Sequence, residues 1–399
     1  MKSSAFAKTM TAAADRRGGM LRPCRLAFIA LSVFGLLAFS FNQPSDHIPF
    51  STQPPSSGVF IEDVGSSVLE KGLPPAGNSH DVKNSTLGFE RVFVINLPER
   101  HDKLDAFSLA SSLTGFSHEV IEGIKGVTVV NKTLPTLDNL PKKERSRNNI
   151  VGCWRAHLNF AQKIVRERIQ TAIVFEDDSD WDVSFQDQLA EFATGSRYIS
   201  GTSHTPRSPY GDDWDLLWLG HCSIQQHPAD ERRFVIENDD SVPPMARRFN
   251  VNKVPPLNEL GYDNSTRIVF RANDGVCLYS YALSYRGAQK MLQWQNNVKR
   301  FEPIDIGIGY QCRDDANFKC IAVFPQLVDS HRSAGRASRD SDISTADATQ
   351  TRERGYTHNI VRSTRLNLDN LIRGGHSARV ENQWGDLPQL TSPRRTMFE

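Results

Sequence analysis

Two hydrophobic periods alternate along the chain between residues 91 and 325. Short runs of β-branched and aromatic residues indicate buried strands, and apolar residues spaced three or four positions apart indicate helices. The predicted strands are RVFVINL (91–97), HEVIEGI (118–124), TAIVF (171–175), WDLLWLG (214–220), VCLYSYALS (276–284) and CIAVFP (320–325). The predicted helices cover 102–113, 149–168 and 285–294. Strands that alternate with helices predict an α/β layered domain with a mainly parallel sheet.

Two stretches interrupt this pattern. We expect long surface loops at residues 195–213 and at residues 225–266, which carry proline pairs and charge clusters. The segment after residue 345 is polar and basic, so residues 346–399 are predicted to form a tail with one helix near 359–372.

The N-terminal part of the chain predicts a membrane anchor. Residues 26–41 form a charge-free apolar run of sixteen residues, preceded by several Lys and Arg and followed by none until Lys71. The positive-inside rule makes residues 1–25 a cytosolic tail and residues 26–41 a signal anchor, with the rest of the chain in a lumen. The run is shorter than the ~20 residues of a typical span, which suits a thin early-secretory bilayer. A cleaved signal peptide is the alternative, because Ala38 and Ser40 form a small-x-small site.

Several other features agree with a lumenal location. Residues 42–88 are rich in Pro, Ser and Gly and predict a flexible stem. The N-x-S/T glycosylation triplets start at Asn84, Asn131 and Asn264, all beyond the apolar run. Five cysteines also follow the run: Cys153, Cys222, Cys277, Cys312 and Cys320. The last two are close enough in sequence for a local disulfide, and five buried thiols are the alternative. The formal net charge of +1 gives no reason to expect nucleic acid as a partner.

The stretch TAIVFEDDSDWDVSF (171–185) runs from a buried strand directly into a cluster of acidic residues. Side chains alternate in an extended chain, so Glu176 and Asp178 are expected on one side and Asp177 on the other. Each like-charge contact at ~4 Å costs ~1 kcal/mol in water and ~4 kcal/mol at an effective dielectric near 20. The carboxylates are therefore either solvated, as in a simple acidic loop, or offset by a cation. The carboxyl ends of parallel strands bind ligands, and carboxylates suit Mg²⁺ or Mn²⁺ holding a phosphorylated substrate.

A calcium-binding EF-hand is excluded at this cluster. Asp178, Asp180 and Asp182 fit positions 1, 3 and 5 of the EF-hand loop. Val183, however, stands where the loop requires Gly, and Leu189 stands where it requires a bidentate Glu.

Seven blocks of the sequence, taken in order, resemble glycosyltransferase family 25, which includes bacterial lipopolysaccharide sugar transferases and collagen galactosyltransferases. The blocks are VFVINLPERHDK (92–103), GCWRAHLNFAQ (152–162), IVFEDD (173–178), WDLLWLG (214–220), YALSYRGAQKML (281–292), PIDIGI (303–308) and SDI (341–343). The resemblance implies that residues 89–345 form a GT-A catalytic domain. Such a domain is a nucleotide-sugar-binding α/β sandwich that uses a divalent metal, usually Mn²⁺, to hold a sugar-nucleotide diphosphate.

The resemblance implies roles for the acidic cluster, because E-D-D takes the place of the D-x-D motif of other GT-A enzymes. Asp178 is the first choice for the metal ligand. Glu176 is expected to bind the metal through water or to contact the ribose of the donor, whereas Asp177 is expected to be structural. His331 resembles a late His that closes the metal site in several GT-A families, and an unrelated loop His is the alternative.

The first two blocks supply candidates for donor binding. Asn96 and Arg100 match the family's nucleotide-side loop, where the guanidinium of Arg100 could pair with phosphate. A strand end followed by a solvated helix start is the alternative for both. His157 is expected to face the donor, or else to be a satisfied core histidine. This block departs from the family, which usually has Ser at the position of Ala156.

The resemblance to the collagen enzymes implies an inverting transfer, which needs a base for the proton of the acceptor hydroxyl. Asp305 matches the family's P-x-D position and is the first candidate for that base, with Glu302 second. A helix-capping carboxylate is the alternative for Asp305.

The resemblance as a whole implies a single-pass type II hexosyltransferase of the Golgi or ER membrane with a lumenal catalytic domain. The expected donor is a UDP-sugar, most often UDP-galactose in the family, and the acceptor is a hydroxyl of a glycan, glycoprotein or glycolipid. One alternative is a catalytically inactive GT-A-like binding or scaffold protein. A metal-dependent phosphohydrolase is another, but it normally needs clustered His and Asp ligands that the sequence lacks outside residues 176–182.

Overall fold

The computed structural model describes residues 79–399, except 136, 139–141, 143, 203–204, 251–252, 344–348, 376–377, 386 and 388–392. The predicted cytosolic tail and anchor, and residues 42–78 of the predicted stem, lie outside the described residues. Within the described part, no helix combines the length and the apolar character needed to cross a bilayer.

Helices and strands alternate along the described chain, and the three predicted helices are present, but helices Phe185–Ser200 and Ile304–Asp314 and strand Arg267–Val276 were not predicted. The helices are α1 (His101–Leu113), α2 (Glu144–Glu167), α3 (Phe185–Ser200), α4 (Tyr285–Asn297), α5 (Ile304–Asp314) and α6 (Leu368–Gly374). The first strands are β1 (Arg91–Asn96), β2 (Glu119–Glu122), β3 (Leu137–Asp138), β4 (Thr171–Glu176), β5 (Ser179–Trp181), β6 (Leu216–Gly220), β7 (Ser223–Gln226), β8 (Arg233–Glu237) and β9 (Arg267–Val276). The later strands are β10 (Ser280–Ser284), β11 (Arg300–Phe301), β12 (Cys320–Phe324), β13 (Val328–Arg332), β14 (Gly335–Arg336), β15 (Thr351–Arg352), β16 (Tyr356–Thr357) and β17 (Arg395–Phe398).

The central sheet combines five strands that run in one direction with one antiparallel strand between them and an antiparallel edge. Its strand order is β17-β8-β9-β12-β6-β10-β4-β1-β2, and β7 pairs with β9 away from this path. Strands β2, β1, β4, β6 and β12 run in one direction, whereas β10 lies antiparallel between β4 and β6. The β12–β9, β9–β8 and β8–β17 pairs are also antiparallel. The prediction of a mainly parallel sheet therefore holds for β2, β1, β4, β6 and β12 but is wrong for β10 and the β9 edge, because a hydrophobic period carries no information about strand direction.

Helices cover both faces of the sheet and bury two hydrophobic cores. Helices α2, α4 and α5 contribute to the core on one face, and α1 and α3 contribute to the core on the other. Side chains alternate along β4, so Ala172 and Val174 join the first core while Ile173 and Phe175 join the second. The same alternation directs the next residue on the first face, Glu176, towards α2.

The packed structure is more extensive than the predicted loops and stem imply. The stretches 195–213 and 225–266 contain the end of α3, part of β7 and all of β8, so they are not simply surface loops. Val82 and Leu87, within the predicted stem, are fully buried against the second core. Short elements such as these lack the sustained period on which the sequence prediction depends.

Residues after 345 also pack into the domain, so the prediction of a polar tail needs correction. Thr357 and Ser363 donate hydrogen bonds from their hydroxyls to the carboxylate of Asp180, and the backbone N–H of Arg365 donates to the same side chain at 3.1 Å. Strand β17 extends the central sheet by pairing with β8. The first of these attachments is polar rather than apolar, which explains why a search for hydrophobic periods missed it.

The cysteines of the described domain form two disulfides. Cys312 pairs with Cys320, as one of the two sequence readings predicted, and Cys222 pairs with Cys277. Cys153, on α2, is a free thiol. The Cys222–Cys277 bond joins segments 55 residues apart, so sequence spacing gave no reason to choose it.

We expect Asp180→Ala to lower the free energy of unfolding by about 3 kcal/mol or more. The substitution leaves several buried donors without their charged acceptor. Chemical denaturation of the full chain measures the change. Asp369→Ala is a matched control near the same segment, because Asp369 is exposed and pairs only one turn away with Arg373. The control should change the free energy by less than about 1 kcal/mol. Equal losses in the two variants would contradict a structural role for Asp180.

Candidate functional site

A cleft of about 970 Å³ opens where strands β1 and β4 end. Its walls come from the loop after β1, the first half of α2, the start of α5 and residues around 338–343. Of the predicted site residues, His157, Glu176, Asp178 and Asp305 line this cleft together. The structure therefore brings four of the eight candidates to one place.

Glu176 and Asp178 present their carboxylates to the cleft. Glu176 is the last residue of β4, and its side chain is 24% exposed; the side chain of Asp178 is 17% exposed. The N–H of Glu176 donates to the carbonyl of Tyr279 at 3.0 Å, which ties the strand end to the segment before β10. Two carboxylates thus reach the same partly solvated space from one strand end.

Asp177 borders the same cleft but is buried and engaged in polar contacts with protein groups. Its carboxylate accepts a hydrogen bond from the Asn96 side chain at 2.8 Å and lies 3.0 Å from the ammonium of Lys103. Burial raises the pKa of Asp177 to about 6, against the opposing effect of Lys103. Asn96 itself is buried and also donates to the carbonyl of Arg100 at 3.1 Å. Asn96 therefore stabilises the acidic loop through buried hydrogen bonds and does not line the cleft.

Lys103 is the cation that holds the acidic residues together. Its ammonium lies 2.9 Å from Asp342, 3.0 Å from Asp177 and 4.0 Å from Asp178. Burial alone would lower the pKa of Lys103, but the three carboxylates outweigh it and raise that pKa. Lys103 and Asp342 both line the cleft. They belong to sequence blocks that matched the family, so block membership was the signal that could have found them.

Arg332 is a second cation in the cleft that the sequence did not suggest. Arg332 is the last residue of β13, and its guanidinium lies 3.7 Å from Asp178 Oδ2. Burial alone would lower its pKa, but Asp178 and the neighbouring groups, Asp340 among them, together outweigh burial and raise that pKa. Asp178 therefore lies between two cations, Lys103 and Arg332, both beyond ordinary hydrogen-bond length.

Arg100 holds one wall of the cleft in place through ion pairs and a hydrogen bond, and its side chain does not line the cleft. Its guanidinium pairs with Asp342, contacts Asp102 at 3.0 Å and donates to the carbonyl of Arg339 at 2.7 Å. The segment that contains Asp342 is thereby tied to the start of α1. The structure places Arg100 in contact with carboxylates, whereas the sequence hypothesis assigned it to a phosphate.

Helix α2 brings His157 and Cys153 to the cleft on one face. His157 is 2% exposed; its Nδ1 lies 3.1 Å from the hydroxyl of Tyr281, and its Nε2 lies 3.6 Å from Glu176 Oε1. Burial raises the pKa of the Cys153 thiol, as do the charges of Glu176 and Asp305. His157 is thus both a buried residue with a hydrogen-bond partner and a cleft residue.

Two glycines let α2 approach the loop after β2 closely. A Cβ at Gly152 would lie 2.1 Å from the carbonyl oxygen of Ile124, and a Cβ at Gly126 would lie 1.8 Å from that of Asn148. Both separations are far inside van der Waals contact. Glycine at these positions allows the backbone contact that forms one side of the cleft.

Asp305 lies in the first turn of α5 and lines the cleft. One oxygen, Oδ2, accepts a hydrogen bond from the backbone N–H of Cys277 at 3.0 Å. Cys277 has a φ of 66° and is held by its disulfide to Cys222. The carboxylate is therefore positioned by a fixed backbone donor. Glu302, the second candidate base, is not among the residues that line the cleft.

His331 lies behind the acidic loop, outside the lining of the cleft. Its Nδ1 is 2.9 Å from the hydroxyl of Thr357, and that hydroxyl donates to Asp180. Burial lowers the pKa of His331 to about 4, so the ring is neutral at pH 7. Its backbone N–H donates to the carbonyl of Asp178 at 2.7 Å. The observed contacts of His331 support the loop that carries the proposed metal ligand.

The donor set of the cleft fits a divalent cation of the Mg²⁺ or Mn²⁺ class. Glu176 and Asp178 offer carboxylate oxygens, the ligands that these hard ions prefer. Both side chains are partly exposed, so a cation can reach them together with water and a phosphate. Asp180 and Asp182 do not contribute, because they are buried and accept hydrogen bonds from residues 357–365.

The fold and the site define an α/β protein with a carboxylate-lined ligand cleft at the carboxyl ends of its central strands. This is the usual ligand position in sheets of this class. The sequence profile of glycosyltransferase family 25 (LPS biosynthesis protein) matches residues 89–308, which is more than half of the chain. The chain belongs to glycosyltransferase family 25, and the resemblance found in the sequence blocks is confirmed.

Relatives of the chain include proteins named as enzymes and proteins named as inactive. The chain is 24% identical over 229 residues to procollagen galactosyltransferase 1 of Danio rerio and to probable inactive glycosyltransferase 25 family member 3 of Bos taurus. Each match covers 55% of this chain and 31% of the relative. The chain is 22% identical over 278 residues to procollagen galactosyltransferase 1-A of Xenopus laevis, covering 65% of this chain and 38% of the relative. These matches thus span about a third of the length of the relatives.

We expect Asp177→Asn to change the slope of stability against pH between about pH 4 and pH 6. The folded protein holds the proton of Asp177 more tightly than the unfolded chain, because the pKa is raised from 3.8 to about 6. The contribution of Asp177 to stability should therefore fall as the pH rises through this window, and Asn, which cannot titrate, removes that contribution. Urea unfolding at several pH values measures both slopes. Identical slopes for the two proteins would contradict the raised pKa.

Proposed function

We propose that the chain is a metal-dependent glycosyltransferase that moves a hexose from a UDP-sugar to a hydroxyl acceptor, with inversion. The observation that carries this proposal is one cleft in which Glu176, Asp178 and Asp305 face the same space. Family membership supports the transferase class. Galactose is the proposed hexose, because several relatives are named procollagen galactosyltransferases.

The proposed donor site uses the acidic loop and its neighbouring cations. Asp178 would bind Mn²⁺ directly, and Glu176 would bind it through water or contact the ribose. The bound cation would act as a Lewis acid that stabilises the departing diphosphate. Lys103 and Arg332 flank Asp178 at 4.0 Å and 3.7 Å, so a diphosphate beside Asp178 would also meet two positive side chains.

Asp305 is the proposed base of the transfer. The acceptor oxygen attacks the anomeric carbon, the bond from that carbon to the UDP oxygen breaks, and the acceptor proton passes to the carboxylate of Asp305. The N–H of Cys277 occupies Oδ2, which leaves Oδ1 to take the proton. The hydrogen bond also fixes the orientation of the carboxylate, as a positioned base requires.

The proposed location is the Golgi or ER membrane, with a type II topology and the catalytic domain in the lumen. The apolar run at residues 26–41, after a basic segment, supports an anchor. Two disulfides in the described domain support an oxidising compartment. The proposed acceptor is a glycan, a glycoprotein or a glycolipid in that compartment.

A catalytically inactive binding or scaffold protein is the second candidate. Relatives named as inactive at 24% identity favour it, and so does Ala156 in place of the family's usual Ser. The presence of Glu176, Asp178 and Asp305 in one cleft favours the enzyme. Donor turnover separates the two candidates.

We expect the full chain in detergent to release UDP from one member of a UDP-sugar panel when Mn²⁺ is present. A chelator should abolish the release, and Asp178→Asn should reduce it at least about 100-fold, because the cation then loses its ligand. Asp187→Asn is the matched control, since Asp187 is exposed on α3 away from the cleft. The control should stay within about twofold of wild type. Binding of UDP and Mn²⁺ without release, even with acceptors present, would favour the inactive candidate.

We expect Asp305→Asn to reduce kcat by about 100-fold or more while UDP binding stays intact, because a positioned base contributes about 10²–10⁴-fold. Glu302→Gln is the comparison, as Glu302 lies three residues away but outside the cleft lining. Steady-state kinetics with a saturating donor give kcat, and calorimetry gives UDP affinity. A larger loss of kcat in Glu302→Gln than in Asp305→Asn would reverse the assignment.

A further inference from the structure

Cys153, His157 and Glu176 form a cluster that the proposed donor site leaves unexplained. One ligand atom from each residue, a thiol sulfur, an imidazole nitrogen and a carboxylate oxygen, lies within 4.8 Å of the other two. Cys153 and His157 are four residues apart on α2 and so share a helix face. Glu176 reaches the same point from the end of β4. All three residues line the cleft.

The chemistry of this cluster differs from that of the carboxylate pair. Thiolate and imidazole are the ligands that Zn²⁺ and Co²⁺ favour, whereas Mg²⁺ and Mn²⁺ favour oxygen. Three protein ligands with a fourth position open to a cleft is the arrangement of an accessible zinc site. The cleft beside Glu176 supplies that open position.

The spacing agrees with a tetrahedral ion. Zinc bonds of about 2.0–2.3 Å place two ligand atoms of a tetrahedron about 3.3–3.8 Å apart, and the edge between a nitrogen and an oxygen is at the short end of that range. His157 Nε2 and Glu176 Oε1 are 3.6 Å apart, which is too long for a hydrogen bond and within about 0.3 Å of that edge. All three ligand atoms lie within 4.8 Å, so they need to close by about 1.5 Å at most, which side-chain rotation can supply.

The surroundings of His157 also suit a metal ligand. Its Nδ1 lies 3.1 Å from the hydroxyl of Tyr281, which is fully buried. A hydrogen bond from Nδ1–H to that hydroxyl leaves Nε2 with its lone pair directed at Glu176. Metal-binding histidines are usually oriented by a second hydrogen bond of this kind.

We infer that the chain binds one thiophilic transition-metal ion of the Zn²⁺ class at Cys153, His157 and Glu176. Binding transfers the thiol proton of Cys153 to solvent and forms a sulfur–metal bond, with no change of oxidation state. Because the ion takes Glu176, it should compete with the Mn²⁺–donor complex and inhibit transfer. That competition rests on the proposed function, whereas the binding itself does not.

Titration of the full chain with Co²⁺, in the absence of nucleotide, tests the binding. We expect one equivalent of Co²⁺ to produce a thiolate-to-cobalt charge-transfer absorption. Zn²⁺ should remove this absorption by displacing Co²⁺. Cys153→Ser should abolish the absorption, and His157→Gln should weaken Co²⁺ binding about tenfold or more. Cys24→Ser is the matched control and should retain the absorption, since Cys24 is the other cysteine outside the two disulfides.

A measurement on the unmodified chain covers the case in which Cys153→Ser fails to fold. Zn²⁺ should slow the alkylation of Cys153 at least about tenfold, as read by mass spectrometry, and Mg²⁺ should not. No cobalt absorption, an absorption that survives in folded Cys153→Ser, or equal alkylation with and without Zn²⁺ would overturn the inference.

The outcomes for the metal site and for the proposed enzyme can be distinguished. Asp178→Asn should lose UDP release but keep the cobalt absorption, because Asp178 is not a ligand of the thiophilic ion. A cobalt absorption in a chain that releases no UDP would support the metal site and refute the enzyme. UDP release without any cobalt absorption would support the enzyme and refute the metal site.

Discussion

Charge compensation beneath the acidic loop is the interaction on which the rest of the site depends. Asp177, Asp178 and Asp342 would repel one another in a partly buried cleft, and the ammonium of Lys103 lies within 4.0 Å of all three. Helix α1 carries this cation to the ends of β1 and β4, so the position of α1 against the second core determines where the carboxylates can lie. Arg100, the residue immediately before the same helix, also forms a salt bridge with Asp342. Because Lys103 and Arg100 already offset these carboxylates from within the protein, the open side of the cleft remains available to a ligand.

The acidic cluster divides into two functions that its sequence does not separate. Glu176 and Asp178 face the cleft, whereas Asp180 and Asp182 are buried acceptors for hydrogen bonds from residues 357–365. Alternation along the strand gave the orientation of Glu176, because strand period depends only on local geometry. The partners of Asp180 lie about 180 residues away, and nothing in local pattern or composition identifies them.

The difference between local pattern and long-range contact also determines which parts of the whole fold could be predicted. The periodicity located α1, α2, α4 and most of the central strands but missed α3, α5 and β9, and matched sequence blocks gave the family and the four candidates that meet in the cleft. It did not give strand direction at β10, the packing of the residues beyond 345, or the cations Lys103 and Arg332. Arg100 and His331 have residue types that suit ligands, yet their observed partners are protein groups. Long-range polar contacts decide the placement of Arg100, His331 and the residues beyond 345, and such contacts leave no periodic signal.

The hydrogen bonds from residues 357–365 to Asp180 and Asp182 have a consequence for the order in which the domain assembles. Ribosomal synthesis produces β4 and its acidic loop long before the segment that satisfies their buried carboxylates. Until that segment arrives, Asp180 lacks the hydroxyl donors of Thr357 and Ser363, and the loop has no reason to adopt its final shape. A cleft with both carboxylates correctly oriented is therefore a late product of folding. An incomplete chain would hold the ligand residues without the geometry that makes them a site.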